Sequence, residues 1–160
     1  MAENKGKIKL LFVCHGNICR SPMAEFIFKD LIKKEGFGSQ FIVESAAVSR
    51  EEIGNPVYPP AKQILAQHGI SCKGKTAVQI KPSDYEKYDF IIPMEEYNIT
   101  RMKNIIPKDP QNKIKLLLDF SDKHGNIDDP WYSGDFDKTY EEILLGCQGI
   151  LKYFKIKNLL

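Results

Sequence analysis

Most of the features that would point directly to a function are scarce in this chain. Charge of one sign is missing: 23 Lys and Arg against 21 Asp and Glu leave a net +2. That is too little to argue for nucleic acid or an anionic membrane surface as a partner. No apolar run is long enough to span a bilayer, and Met1–Lys7 leads into the first strand without a signal-peptide pattern, so a cytoplasmic protein is expected. There are four cysteines and no repeated cysteine framework, which argues for reduced thiols rather than a disulfide scaffold. Histidine is rarer still, at His15, His68 and His124. His68 and Cys72 stand four apart, but Gly69 breaks the helix between them and no further ligand is nearby, so no metal site is expected. Low-complexity segments, internal repeats and linkers are absent too. The expectation is one domain over 1–160, with its core at about 7–157.

What is present alternates. Ile8–Val13 reads as a buried strand, and a helix opening at Pro22 carries Met23, Phe26, Ile27, Leu31 and Ile32 at helical spacing. Phe41–Ala46 is a second strand, and Tyr58-Pro59-Pro60 opens a second helix that Gly69 stops. Ser83 is placed as an N-cap with Glu86 completing a capping box. Phe90–Ile92 is a third strand, Glu95–Ile106 a helix and Lys115–Leu118 a fourth strand. A long loop over Asp119–Asp135 precedes a final helix with Tyr140, Ile143, Leu144, Cys147, Ile150, Leu151 and Phe154 on one stripe. Strands separated by helices predict an α/β fold with a four-stranded parallel sheet covered on both faces.

The strongest local signal is Cys14-His15-Gly16-Asn17-Ile18-Cys19-Arg20-Ser21, set between the first strand and the first helix. A helix N-terminus gathers unpaired N–H groups and partial positive charge, so it is a ready anion site. A cysteine at its mouth has its thiolate stabilised by the same field. Arg20, six residues on, can clamp two oxygens of a bound oxyanion with its planar fork. A nucleophile, an anion cradle and a charge clamp are therefore held in eight residues. Phosphoryl transfer also calls for an acid to protonate the leaving oxygen. Asp129, in Asp128-Asp129-Pro130-Trp131-Tyr132, is the candidate, with Trp131 and Tyr132 as rings that line the entrance and stack on an aromatic leaving group. Asp-Pro alone is ordinary turn chemistry. Its weight comes from pairing with the cysteine loop.

Together, Cys-x-Gly-Asn-x-Cys-Arg-Ser-Pro after the first strand, Asp129-Pro130-Trp131-Tyr132 near the end, and Glu44-Ser45-Ala46-Ala47 and Glu52-Ile53-Gly54-Asn55-Pro56 between them closely resemble the low-molecular-weight protein tyrosine phosphatases. The resemblance implies that the loop sits after the first strand, at the switch point of the sheet. It implies that Cys14 attacks phosphorus to form a cysteinyl-phosphate, that Arg20 and the amides of residues 15 to 20 hold the equatorial oxygens, and that Asp129 serves as acid and then base. His15, Gly16, Asn17, Ile18 and Cys19 would line the phosphate site. Ser21 would hydrogen-bond the Cys14 sulfur, Asn17 would brace the loop through Ser45, and Cys19 would be a redox partner able to close a reversible disulfide with Cys14. No cofactor and no metal is implied, because amides and Arg20 carry the charge. The implied partners are phosphotyrosyl proteins and peptides, with phosphate-like oxyanions as inhibitors, no nucleic acid and no membrane; the chain would act as a monomer or weak dimer.

Two departures from the family pattern stand out. Lys75 falls where many members carry a histidine of the loop-bracing network, so loop rigidity there is expected to rest on a different contact. Charge, in Arg50-Glu51-Glu52, falls where animal members often place an aromatic wall. Glu51 should then disfavour acidic residues beside the phosphate and leave Trp131 as the main stacking surface. Protein-arginine phosphatases resemble the chain as well, but typically carry Thr at the place of Ile18, whose apolar side chain suits a phenyl ring better than a phosphoguanidinium. Related arsenate reductases relay oxidation through two further cysteines close in sequence, and Cys72 and Cys147 are far apart. A redox-sensing phosphate-binding module without catalysis predicts loss of Cys14, Arg20 or Asp129. All three are present.

Overall fold

The computed structural model describes residues 6–160. Strand β1 (Ile8–Cys14) is the centre of the sheet because its apolar run can be covered on both faces: Leu10, Leu11, Phe12 and Val13 are all buried. Successive side chains of a strand point to opposite faces. Leu10, Phe12 and Cys14 therefore enter one core with Phe28, Phe41, Leu65, Ile143 and Phe154, while Leu11 and Val13 enter a second with Ile80, Tyr85, Tyr88 and Met102. Helix α1 (Arg20–Lys34) returns the chain to strand β2 (Phe41–Ala47), which pairs parallel with β1 from Ile8↔Phe41 to Cys14↔Ala47. Helices α2 (Pro59–Gln67) and α3 (Asp84–Lys87) follow, then strand β3 (Phe90–Pro93), parallel to β1 on its other edge. Helix α4 (Glu96–Met102), the short α5 (Pro130–Ser133) and the long α6 (Phe136–Ile156) complete the chain. The strand order is β2-β1-β3. The result is an α/β fold with a parallel sheet between helical layers.

The sheet has three strands, not the four expected. Lys115–Leu118 touches the edge only through a single parallel bridge, Ile91↔Ile114, closed by Ile91 N–H to Lys113 O and Lys115 N–H to Ile91 O. The chain then turns into a 3₁₀ helix over Leu117–Phe120. Packing against α6 explains the turn. Leu117 and Leu118 are fully buried, and Gly146 and Gly149 of α6 lie so close to Leu117 and to the Phe120 carbonyl that a Cβ at either glycine would collide with them. The apolar run is consumed by the helix layer before a ladder can extend. Asp109 fixes the entry to this bridge, its carboxylate accepting from Tyr85 Oη (2.6 Å), Lys113 N–H (2.7 Å) and Ile114 N–H (3.0 Å).

Other boundaries shift by smaller amounts. Helix α1 begins at Arg20, two residues before Pro22. Ser83 makes no side-chain cap, and Asp84 instead accepts from Lys81 N–H at 2.9 Å. A side-chain bond of this kind does form at the start of α4, where Asn98 Oδ1 accepts from Met94 N–H and Glu95 N–H, both at 3.1 Å.

Two outcomes are expected. Gly149→Ala forces a methyl onto the Phe120 carbonyl and should cost about 1–3 kcal/mol, seen as a fall in melting temperature of at least about 3 °C. Burial alone would raise the Asp109 carboxyl, but the hydrogen bonds from Tyr85, Lys113 and Ile114 outweigh it and hold it below the ordinary range. A depressed carboxyl stabilises fully above its unfolded value and loses that contribution as pH falls through the folded one. Asp109→Asn should therefore lower the urea midpoint at neutral pH and narrow the gap to wild type at about pH 3.

Candidate functional site

The site starts from a backbone constraint. Asn17 adopts φ +60°, a left-handed conformation that few residues other than Gly, Asn and Asp adopt cheaply. Its buried side chain holds it there: Nδ2 donates to Ser21 Oγ (2.7 Å) and Ser45 Oγ (3.0 Å), and Oδ1 accepts from Val78 N–H (3.1 Å). The loop carbonyls are tied to the surrounding fold as well. Cys14 O accepts from Val48 N–H, His15 O from Ser49 N–H and Ile18 O from Tyr58 N–H. A trans peptide sets its N–H opposite its C=O. The N–H groups of His15, Gly16 and Cys19 therefore point away from those neighbours, toward the inside of the loop.

Cys14 sits at the rim of that hollow. Its sulfur lies 3.0 Å from Ser21 Oγ and 3.3 Å from the Asn17 N–H that donates to it. Ser21 Oγ accepts from Asn17, and its own proton has the sulfur at 3.0 Å and the Ala46 carbonyl at 3.4 Å as acceptors; between Ser21 and Cys14, only the hydroxyl can be the donor once the thiol ionises. A continuous chain runs below. Ser45 Oγ donates to Glu25 Oε1 (2.6 Å), Lys29 Nζ pairs with Glu25 Oε2 (2.6 Å), and Lys75 Nζ donates to Ser45 O (2.9 Å) while facing Glu25 Oε1 at 3.8 Å. Lys75 thus joins the bracing network. Burial pulls its ammonium below the usual lysine range, against the pull of Glu25.

Arg20 is 1% exposed, and a buried guanidinium needs partners. Nη1 donates to Glu95 Oε2 (2.6 Å) and to Ile127 O (2.8 Å), and Nη2 lies 3.3 Å from Asp129 Oδ2. Asp129 caps α5, its Oδ1 accepting from Trp131 N–H at 3.0 Å, so the Asp-Pro turn and the ion pair share one carboxylate. Glu95 was not anticipated. In sequence it is one of two glutamates opening a helix, where an acid is ordinary, and nothing in its spacing links it to a residue 75 positions away.

Cys14, Arg20 and Asp129 line one cavity of about 840 Å³, together with His15, Gly16, Ile18, Cys19, Glu51, Trp131 and Tyr132, a size within the range of small-ligand clefts. Trp131 is 53% exposed with its ring 4.8 Å from Tyr58, and Tyr132 is 85% exposed. Glu51 Oε2 sits 3.3 Å from His15 Nε2. Glu52, Glu95, Tyr97 and Arg101 also line the cavity and were not among the expected site residues.

The cysteines divide by environment. Burial, then the Cys14 and Asp129 charges, push the Cys19 thiol well up, and burial raises Cys72 and Cys147. Cys72 and Cys147 are both buried in the apolar core. All four are free thiols. His68 lies flat on Tyr140 with 3.8 Å between ring centroids, and His124 is an exposed loop residue 3.6 Å from Asp119.

A cysteine sulfur, a buried arginine and an aspartate from a separate loop thus meet in one cavity over a strand–loop–helix. The model of the low molecular weight phosphotyrosine protein phosphatases matches residues 9–159. The chain belongs to that family. The low molecular weight protein-tyrosine-phosphatase YfkJ of Bacillus subtilis is 38% identical over 146 residues, covering 90% of this chain and 94% of the relative. Its crystal structure superimposes with a TM-score of 0.90, covering 94% and 96% of the two chains at 37% identity. The structure of the Drosophila arginine phosphatase DARP matches at TM-score 0.82 and 31% identity, covering 92% and 98%. These relatives thus include one named a tyrosine phosphatase and one named an arginine phosphatase. Among its described residues, no helix is long and apolar enough to cross a membrane.

Asn17 separates backbone from side-chain effects. Asn17→Gly keeps the left-handed turn but removes three side-chain hydrogen bonds and should cost about 2–4 kcal/mol in urea unfolding. Asn17→Ala adds backbone strain and should be worse by about 1 kcal/mol.

Proposed function

We propose that the chain is a protein tyrosine phosphatase that hydrolyses phosphotyrosyl proteins and small aromatic phosphomonoesters through a cysteinyl-phosphate. The observation that carries this reading is the convergence of Cys14, Arg20 and Asp129 in one cavity, with the Asp129 carboxylate resting on Arg20. An arriving phosphoryl dianion takes the Arg20 Nη2 position that Asp129 holds and so sets the carboxyl group beside the leaving oxygen. Displaced from Arg20, Asp129 takes a proton from solvent; the Cys14 thiolate then attacks phosphorus, the P–O bond to the leaving oxygen breaks, and Asp129 gives that proton to the phenolate. Asp129, now a carboxylate, takes a proton from water as that water attacks phosphorus and expels the thiolate. Ser21 Oγ, 3.0 Å from the sulfur, stabilises the thiolate at both steps. The loop amides and Arg20 hold the equatorial oxygens. Phosphate-like oxyanions would compete for the same cradle. Glu95 is a positioning residue in this reading, since it touches Arg20 and not the substrate. Four free thiols suit a reducing cytoplasm.

A second reading, phosphoarginine hydrolysis, draws on DARP and on Glu51, Glu52 and Asp128 in the cavity wall, since carboxylates suit a guanidinium. Against it, Ile18 lines the cavity with an apolar side chain. Relay through further cysteines has no support, because Cys72 and Cys147 are buried and their thiols are raised by burial.

The test is the ratio of kcat/KM for a phosphotyrosyl and a phosphoarginyl peptide in EDTA, at mildly acidic and neutral pH, with Cys14→Ser as the blank. Preference for phosphotyrosine is expected, and preference for phosphoarginine would overturn the substrate while keeping the chemistry. Asp129→Asn should lower kcat on phosphotyrosine about 100-fold or more, and less on an aryl phosphate whose leaving group is too acidic to need the proton.

A further inference from the structure

The mouth of the cavity carries a row of side chains that the phosphoryl chemistry does not use. Glu51 Oε2 lies 3.3 Å from His15 Nε2, the His15 ring lies 6.4 Å from that of Tyr97, and the Arg101 guanidinium sits over the Tyr97 ring, 5.7 Å from its centroid. Arg101 Nη1 also reaches Tyr97 Oη at 3.4 Å. Tyr97 and Arg101 stand four apart on α4, which is why one lies over the other. The row runs from an acid at one end to a base at the other, and all four residues line the same cavity.

Two features set the basic end apart. Tyr97 is 51% exposed, so its ring supports no core and presents a face to the cavity. Arg101 has no carboxylate partner among the described residues, whereas Arg20 has two and the His15 at the other end has Glu51. A guanidinium laid on an aromatic ring is held in place, partly desolvated and still free to bind a carboxylate with its fork. The Tyr58–Trp131 pair is built from other elements and is left to the phosphorylated ring.

We propose that Tyr97 and Arg101 read the residue flanking the phosphorylated side chain and favour a carboxylate there, while Glu51 at the far end of the row favours a base. This rests on the phosphotyrosine reading above. The substrate class is then a phosphotyrosyl segment of polarised charge, with acid on one side and base on the other. An exposed ion pair supplies a modest preference, about two- to fivefold in kcat/KM, and salt weakens it.

Four phosphotyrosyl peptides decide the matter, carrying Glu or Lys either two residues before or two residues after the phosphotyrosine. In the wild type, the Glu-to-Lys ratio of kcat/KM should exceed unity at one flank by about two- to fivefold and fall below unity at the other. Arg101→Glu should invert the ratio at the flank that favoured Glu and move the other flank far less, and Tyr97→Ala should bring the first flank toward unity. High salt should shrink both preferences. Equal ratios at the two flanks in the wild type, or an equal shift at both flanks in Arg101→Glu, would overturn the proposal, since net charge alone would then account for the result. Turnover of phosphoarginyl peptides without turnover of any phosphotyrosyl peptide would instead overturn the underlying substrate reading. The same four-way comparison on phosphoarginyl peptides would then decide the rim.

Discussion

A buried amide holding its own backbone left-handed is the constraint from which the site follows. With Asn17 at φ +60° and its side chain bonded to Ser21, Ser45 and Val78, the loop between β1 and α1 closes so that its carbonyls face the fold and its amides face inward. An anion cradle of this kind is costly to leave undefined, because inward N–H groups without an anion have only water for partners. The fold meets that cost by over-determining the loop from below. β2 supplies Ser45, α1 supplies Ser21 and Glu25, and the segment after α2 supplies Lys75 and Val78. Three separate parts of the chain converge on one turn.

Arg20 imposes the complementary constraint. A buried guanidinium cannot be left unpaired, because an uncompensated buried charge is costly. Here Nη1 is committed to Glu95 and the Ile127 carbonyl, while Nη2 faces a carboxylate on the separate α5 turn. Glu95 and Ile127 hold the side chain in place, and in the proposed reaction the longer contact to Asp129 is the one a phosphoryl group replaces. In that reading the exchange links binding to the placement of the acid.

The legible part of this molecule was the part whose signal is local. The cysteine loop, the helix after it, the apolar strand before it and the Asp-Pro turn each need only neighbouring residues to be recognised; in the structure Cys14, Arg20, Asp129 and Trp131 line one cavity, and Ser21 and Ser45 are hydrogen-bonded beside it. The illegible part depends on packing at a distance. Lys115–Leu118 has strand composition, yet Gly146 and Gly149 let α6 approach closely enough to pull the run off the sheet edge. Ser83 and Glu86 have capping spacing, but Ser83 sits in helical backbone and cannot bond as a cap. Glu95 has no local signal at all, because its only distinguishing partner is 75 residues earlier.

Lys75 shows how far the floor and the mouth of the site differ in kind. At the floor, a lysine stands where the family pattern suggested another side chain, yet it still reaches the Ser45 carbonyl and faces Glu25. Buried hydrogen-bond demands are strict about where a donor must be and tolerant about which residue supplies it. At the mouth, Glu51, Tyr97 and Arg101 are exposed, and a change there breaks few obligatory bonds. Mutations at the floor should therefore register in stability and in chemistry together, because one network serves both. Mutations at the mouth can redirect which phosphorylated segment is accepted while the loop below keeps its shape. Separating a rigid phosphoryl cradle from a loosely constrained rim lets one scaffold keep a single reaction and change its substrates.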